Sequence, residues 1–172
     1  PANCTASATI ESTTVGGLIV ALVSESYEVV PASGQSAVTS YAVPADSATT
    51  LLSAPLFKDD RFDKRTGLQI QNVGSVAATN VVATFSCQGA STFTAVSVPL
   101  SAASGAAIQF YTPSDDPALF AAGSPFSSNN VTCSVTVTSD QPVVAIANES
   151  PIPGGTFQQD NNNYEGFNLT PA

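Results

Sequence analysis

One segment occurs twice, and it limits what this chain can fold into. Leu18 to Ser26 near the start returns as Pro142 to Ser150 near the end. In register, Val20, Ala21 and Leu22 lie on Val144, Ala145 and Ile146, and Glu25 and Ser26 on Glu149 and Ser150. A short alternating stretch precedes each copy, Ala8 to Ser12 and Val135 to Ser139. A Pro/Gly turn and an aromatic follow each: Pro31, Gly34 and Tyr41, then Pro153, Gly154 and Tyr164. Each copy therefore reads as an alternating strand, a turn, and a nearly continuous apolar strand ending in Glu-Ser. The apolar run from Val15 to Val23 is too short for a stable isolated helix, so Leu18 to Val23, apolar on both faces, is expected as a strand buried on both sides.

Residues 51 to 130, between the copies, carry strand signals with no second counterpart. The chain looks like one whole β-module plus the tail half of another, with the tail half first. Two readings follow. In one, a duplicated hairpin adds strands to a single larger β-domain. In the other, the N-terminal piece completes a neighbouring molecule.

The 172 residues suffice for one large domain or two small ones. Hydrophobic residues make up 43%, enough for a substantial core. Only 10% are charged, against roughly 25% in globular proteins generally. The surface must then rest on hydroxyls, amides and alanine, which suits a secreted protein or a subunit that hides much of its surface. Met, His and Trp are absent and the sequence starts at Pro1. A processed chain that has lost a signal peptide is expected, with an extracellular or cell-surface location. The longest apolar run falls well short of the roughly 20 residues needed to span a membrane.

The net charge is −9, and all four cations, Lys58, Arg61, Lys64 and Arg65, fall in one stretch. An acidic surface argues against nucleic acid and anionic membranes as partners. The cationic stretch reads either as a solvated loop or as a patch that docks on the acidic face of an identical subunit. Of the three cysteines, Cys87 ends an apolar strand and Cys133 begins another, so a disulfide between them is expected in an oxidising compartment. Cys4 is left over, either for intermolecular pairing or as a free buried thiol.

Along the chain, residues 1 to 12 read as a weak strand, broken by Gly16 and Gly17. Ala37 to Val43 is a further strand. Residues 44 to 56, rich in Ala, Ser and Thr with Pro44 and Pro55 at the ends, read as a linker. The domain boundary is accordingly drawn between 1–48 and 49–172. Gly67 to Gly74 alternates, with Leu68, Ile70 and Asn72 on one face. Thr79 to Ser86, Thr92 to Val98 and Ala106 to Tyr111 follow as strands. About ten short strands with regular turn chemistry predict an all-β, antiparallel sandwich.

The stretch from Leu68 to Phe85 resembles the strand–turn–strand of bacterial extracellular immunoglobulin-like modules of the cell-adhesion-related type. Asn72, Gly74, Asn80 and Val81 carry the likeness. Ser139 to Glu149 resembles the last strand of repeated modules in large secreted bacterial surface proteins. The likeness covers about residues 55 to 150. It implies an Ig-like, Greek-key sandwich, and a role as spacer, adhesin or fibre subunit.

No His exists for a Ser/His/Asp or Cys/His arrangement or a zinc site. Carboxylates at Glu25, Asp59, Asp60, Asp115, Asp116 and Glu149 have no spacing that sets two across a cleft. Asp59, Asp60 and Asp63, or Asp115 and Asp116, could offer oxygen ligands to calcium, but the first group is interleaved with cations and the second lacks a third ligand. No enzyme, cofactor or metal is therefore expected. Asn3, Asn130 and Asn168 head glycosylation sequons; the sequon at Asn148 is followed by Pro151 and is a poorer acceptor.

The leading expectation is a structural subunit of an extracellular, pilus-like filament, a homopolymer joined head to tail by β-strand complementation. Residues of about 5 to 30 would leave their own globule and fill a neighbour's sheet edge. Val15, Leu18, Val20 and Leu22 would be buried at the junction, with Lys58, Arg61, Lys64 and Arg65 docking on the acidic face and Cys4 available as an intersubunit thiol. The alternative is an adhesin or carbohydrate-binding β-sandwich, a self-contained monomer with glycans as its ligands.

Overall fold

The computed structural model describes residues 8, 10–17, 19, 21–28, 36–41, 47–88, 93–96, 107–110, 117, 121, 122, 124, 126, 131–151, 162–165, 167 and 168. These contain ten β-strands and no α-helix. The strands are β1 (Val23–Glu28), β2 (Ser36–Tyr41), β3 (Thr49–Asp59), β4 (Lys64–Asn72), β5 (Val81–Cys87), β6 (Phe93–Val96), β7 (Ala107–Phe110), β8 (Val131–Pro151), β9 (Asn162–Glu165) and β10 (Phe167–Asn168). Every pairing is antiparallel. β1 and β2 form a two-stranded sheet of their own, and the other eight form one connected network.

β8 organises that network. Its first half pairs with β3 and β5, its second half with β4 and β9. Alternation marks each half: Cys133, Val135 and Val137, then Val143, Ala145, Ala147 and Glu149, are buried, with Ile146 buried besides. β8 cannot be straight. Asp59 pairs with its first residue, Val131, and Lys64 with its last, Pro151. Twenty strand steps would span about 66 Å. The five steps from Asp59 to Lys64, plus one ladder spacing at each end, reach only about 30 Å. β8 therefore bends back on itself.

The ladders locate the bend at Ser139–Pro142, between the pairs Val81↔Ser139 and Asn72↔Val143. Asp140 holds it in place. Its carboxylate accepts the Thr79 N–H at 3.0 Å, the Asn80 N–H at 3.3 Å and the Thr79 hydroxyl. Buried Asn72 accepts the Gly74 N–H and donates to the Val76 carbonyl, both at 2.8 Å, while the Val73 N–H donates to the Pro142 carbonyl at 3.0 Å. At Gly74 a Cβ would lie 2.7 Å from Gln141 Oε1, the end of a flexible side chain that would have to shift, and 3.1 Å from Asn72 Oδ1 and Gln141 Cβ.

Inward residues of both halves meet at an aromatic cluster. Phe57, Phe85 and Phe126 touch edge to face with centroids 5.2–5.5 Å apart, and Phe110 joins Phe85 at 6.1 Å. Leu52, Leu68, Ile70, Val81, Val135, Val137 and Val143 complete the core. The disulfide Cys87–Cys133 joins directly opposed positions of β5 and β8.

Several sequence expectations change here. Residues 49–56 are not linker but most of β3, with Leu52 and Ala54 in the core. Two register shifts, at Thr49/Leu51 and Ala54/Phe57, break the alternation that would have marked the strand. At the first, the Leu51 N–H donates to the Thr49 hydroxyl; the second contains Pro55, which has no N–H to give. The charged stretch 58–65 is not a loop, since only residues 60–63 lie between β3 and β4.

The second repeat copy, expected as two strands, is the single bent β8. The first copy does not match it. Residues 8 and 10–12 belong to no strand, and of 18–22 the described residues 19, 21 and 22 belong to none. Leu22 and Val23 are exposed, whereas Ile146 is buried. Among the described residues of this run, the expected burial on both faces is absent. β4 and β5 also do not pair with each other; both pair with β8, on opposite sides of its bend. Leu18 and Val20 lie outside the described residues.

Candidate functional site

Two places carry features that the core does not require. The first is the N-terminal arm before β1. Ile10 is 62% exposed, Val15 fully so, Ile19 50% and Leu22 68%, and Val23, the first residue of β1, is 42% exposed. Five large aliphatic side chains within fourteen residues stand in solvent, a density that ordinary surfaces do not show. The arm has a turn in it: the Gly17 N–H donates to the Thr14 carbonyl at 2.9 Å, and Gly16 takes φ +73°. A Cβ on Gly17 would collide with the Ser12 hydroxyl.

The second place is the corner where β3, β4 and the end of β8 converge. Glu149 continues the inward stripe of β8 and is 4% exposed. Lys58 Nζ reaches it from β3, 2.9 Å from Oε1 and 3.0 Å from Oε2. Thr66, buried and directly opposite Glu149 on β4, accepts the Lys58 backbone N–H at 2.9 Å. Arg65 lies 2.6 Å from Asp60 and 3.5 Å from Asp59. Burial raises the Asp59 pKa, the Asp60 carboxylate adds to the rise, and Arg65 opposes both. Lys64 is also buried.

The intervening turn is strained. Asp60, Phe62 and Asp63 all have positive φ; aspartate tolerates this region, a bulky aromatic rarely does. Phe62 is 63% exposed, with the Arg61 guanidinium 4.3 Å from its ring centre.

The four cations of the sequence are thus brought together, but not as a solvated loop. Lys58 and Arg65 pair with acids of their own chain, and Lys64 is buried. Nothing places them beside the arm. Sequence reading overlooked Thr66 and did not connect Glu149 to Lys58. One signal was present: Glu149 sits two residues beyond Ala147 in the same alternation, which turns it inward. Among the described residues no three His, Cys, Asp or Glu side chains gather as metal ligands. Asn3, Cys4, Asp115, Asp116 and Asn130 lie outside the described residues, and Asn168 falls in β10.

The fold and these sites define an all-β, antiparallel protein with an internal disulfide. No protein-family profile matches the chain, and no curated protein matches it. It is similar to the solved Thermotoga maritima protein 1070, at 16% identity and a TM-score of 0.52, over 69% of this chain and 93% of that one. At that identity the likeness is one of fold alone.

Proposed function

We propose that this chain is a structural subunit of an extracellular filament, joined head to tail by β-strand complementation. The two halves of β8, with their partner strands, would be the layers of an Ig-like β-sandwich. The arm before β1 would lie along a sheet edge of the next subunit. The observation that carries the reading is the exposed aliphatic series Ile10, Val15, Ile19 and Leu22 before β1, with Val23 at the start of β1, none of which belongs to the buried core. A second copy of the chain is the partner that this favours, because a head-to-tail contact repeats without closing. Burial at about 1.5–3 kcal/mol per aliphatic side chain would make each junction stable. The Cys87–Cys133 disulfide suits an oxidising compartment.

Removing residues 1–22 tests this while leaving β1 and β2 able to pair. Sedimentation velocity of the intact chain should show polymers, and of the truncated chain monomers. Polymers from the truncated chain would refute the arm as connector.

A further inference from the structure

Ion pairs are common on protein surfaces, but the one between Lys58 and Glu149 is largely withdrawn from water, with side chains 17% and 4% exposed. The ammonium nitrogen touches both carboxylate oxygens, at 2.9 and 3.0 Å. Oε1 is buried and receives no well-directed hydrogen bond, despite the short approach. The contact is held from behind. The Lys58 N–H is fixed to the Thr66 hydroxyl, and Thr66 faces Glu149 across the β4–β8 ladder. Three strands therefore seat one amine on one carboxyl group, 91 residues apart in sequence.

We propose that this pair matures to an intramolecular amide between Lys58 Nζ and Glu149 Cδ, fastening the end of β3 to the end of β8. The step balances without any co-reactant. A proton passes within the contact from Nζ to the carboxylate, giving an amine and a carboxylic acid. The amine lone pair attacks Cδ and the N–C bond forms. One C–O bond breaks, and its oxygen leaves as water with a proton from Nζ. Holding the reactants in contact supplies the effective concentration that the step lacks in solution.

The sequence provides a sharp test. Trypsin can cut only after Lys58, Arg61, Lys64 and Arg65, so complete digestion yields two large pieces, 1–58 and 66–172. Both cysteines of the disulfide lie in the second piece. The purified, folded protein should be reduced, denatured and weighed intact by mass spectrometry, then digested. The amide predicts an intact mass short by one water. It also predicts a single large product in which the N-terminal piece, uncut at Lys58, stays joined to 66–172. Lys58→Arg keeps the positive charge but cannot form the bond; it should restore the full mass and release two pieces. A wild-type protein of full mass that separates into 1–58 and 66–172 would overturn the proposal and leave a plain ion pair. Wild type and Lys58→Arg should give the same far-ultraviolet circular dichroism, so that a difference in digestion reports the bond and not the fold.

Discussion

At the scale of single residues, Asp140 carries more of the fold than its exposed position suggests. It gathers the Thr79 hydroxyl and the Thr79 and Asn80 N–H groups, and so fixes the loop that passes from β4 to β5 across the bend of β8. These bonds, the Thr79 hydroxyl first and the Thr79 N–H next, lower the Asp140 pKa below its usual 3.8. A depressed acid stabilises the fold above its unfolded pKa, and the contribution is lost as pH falls through the folded value. Asp140→Asn should therefore melt at a lower temperature than wild type at neutral pH. The gap should narrow on acidification below about pH 4. Thermal melts followed by circular dichroism from pH 7 to pH 2 would read it; a gap independent of pH would show that the charge is not what matters. Asn72 was legible beforehand as sharing a face with Leu68 and Ile70, because β4 alternates without interruption. Asp140 was not, because its partners stand 61 and 60 residues away.

At the scale of elements, legibility followed regularity. β4 and β5 could be read from their alternation, and the Cys87–Cys133 link from the strand ends that the two residues occupy. β3 could not, since its buried positions fall at Thr49, Leu52, Ala54, Phe57 and Asp59, with two bulges and a proline between them. The repeat misled for a different reason. Equivalent sequences acquire different structures when their neighbours differ: Val143–Glu149 lies against β4 and β9, whereas β1 has β2 alone. The charged corner escaped notice because a dense run of charges reads locally as solvated, while the acid that receives Lys58 comes from the other end of the chain. The disulfide belongs to this scale too, since it pins β5 to the first half of β8. Replacing Cys87 and Cys133 by Ala together should cost about 2–4 kcal/mol. Urea unfolding of the double variant would measure it, and an unchanged midpoint would mean that the β5–β8 ladder needs no covalent tie.

At the scale of the whole molecule, charge and apolar surface are distributed unevenly. Of four cations, Lys58 and Arg65 are paired with acids of the same chain and Lys64 is buried. The surface elsewhere has acids, hydroxyls and amides but no cation, consistent with a net charge of −9. Against that background the aliphatic arm is the described segment in which exposed large apolar side chains are most numerous. The proposed filament and the proposed amide address different needs: the arm would join subunits, and the Lys58–Glu149 bond would keep each subunit from being pulled apart along β3 and β8. Either could hold without the other. The most direct measurement on the central claim is negative-stain electron microscopy of the intact chain, with light scattering on the same sample. The account predicts regular fibres of uniform width. A monodisperse particle near 17.4 kDa, with no fibres at any concentration, would contradict it.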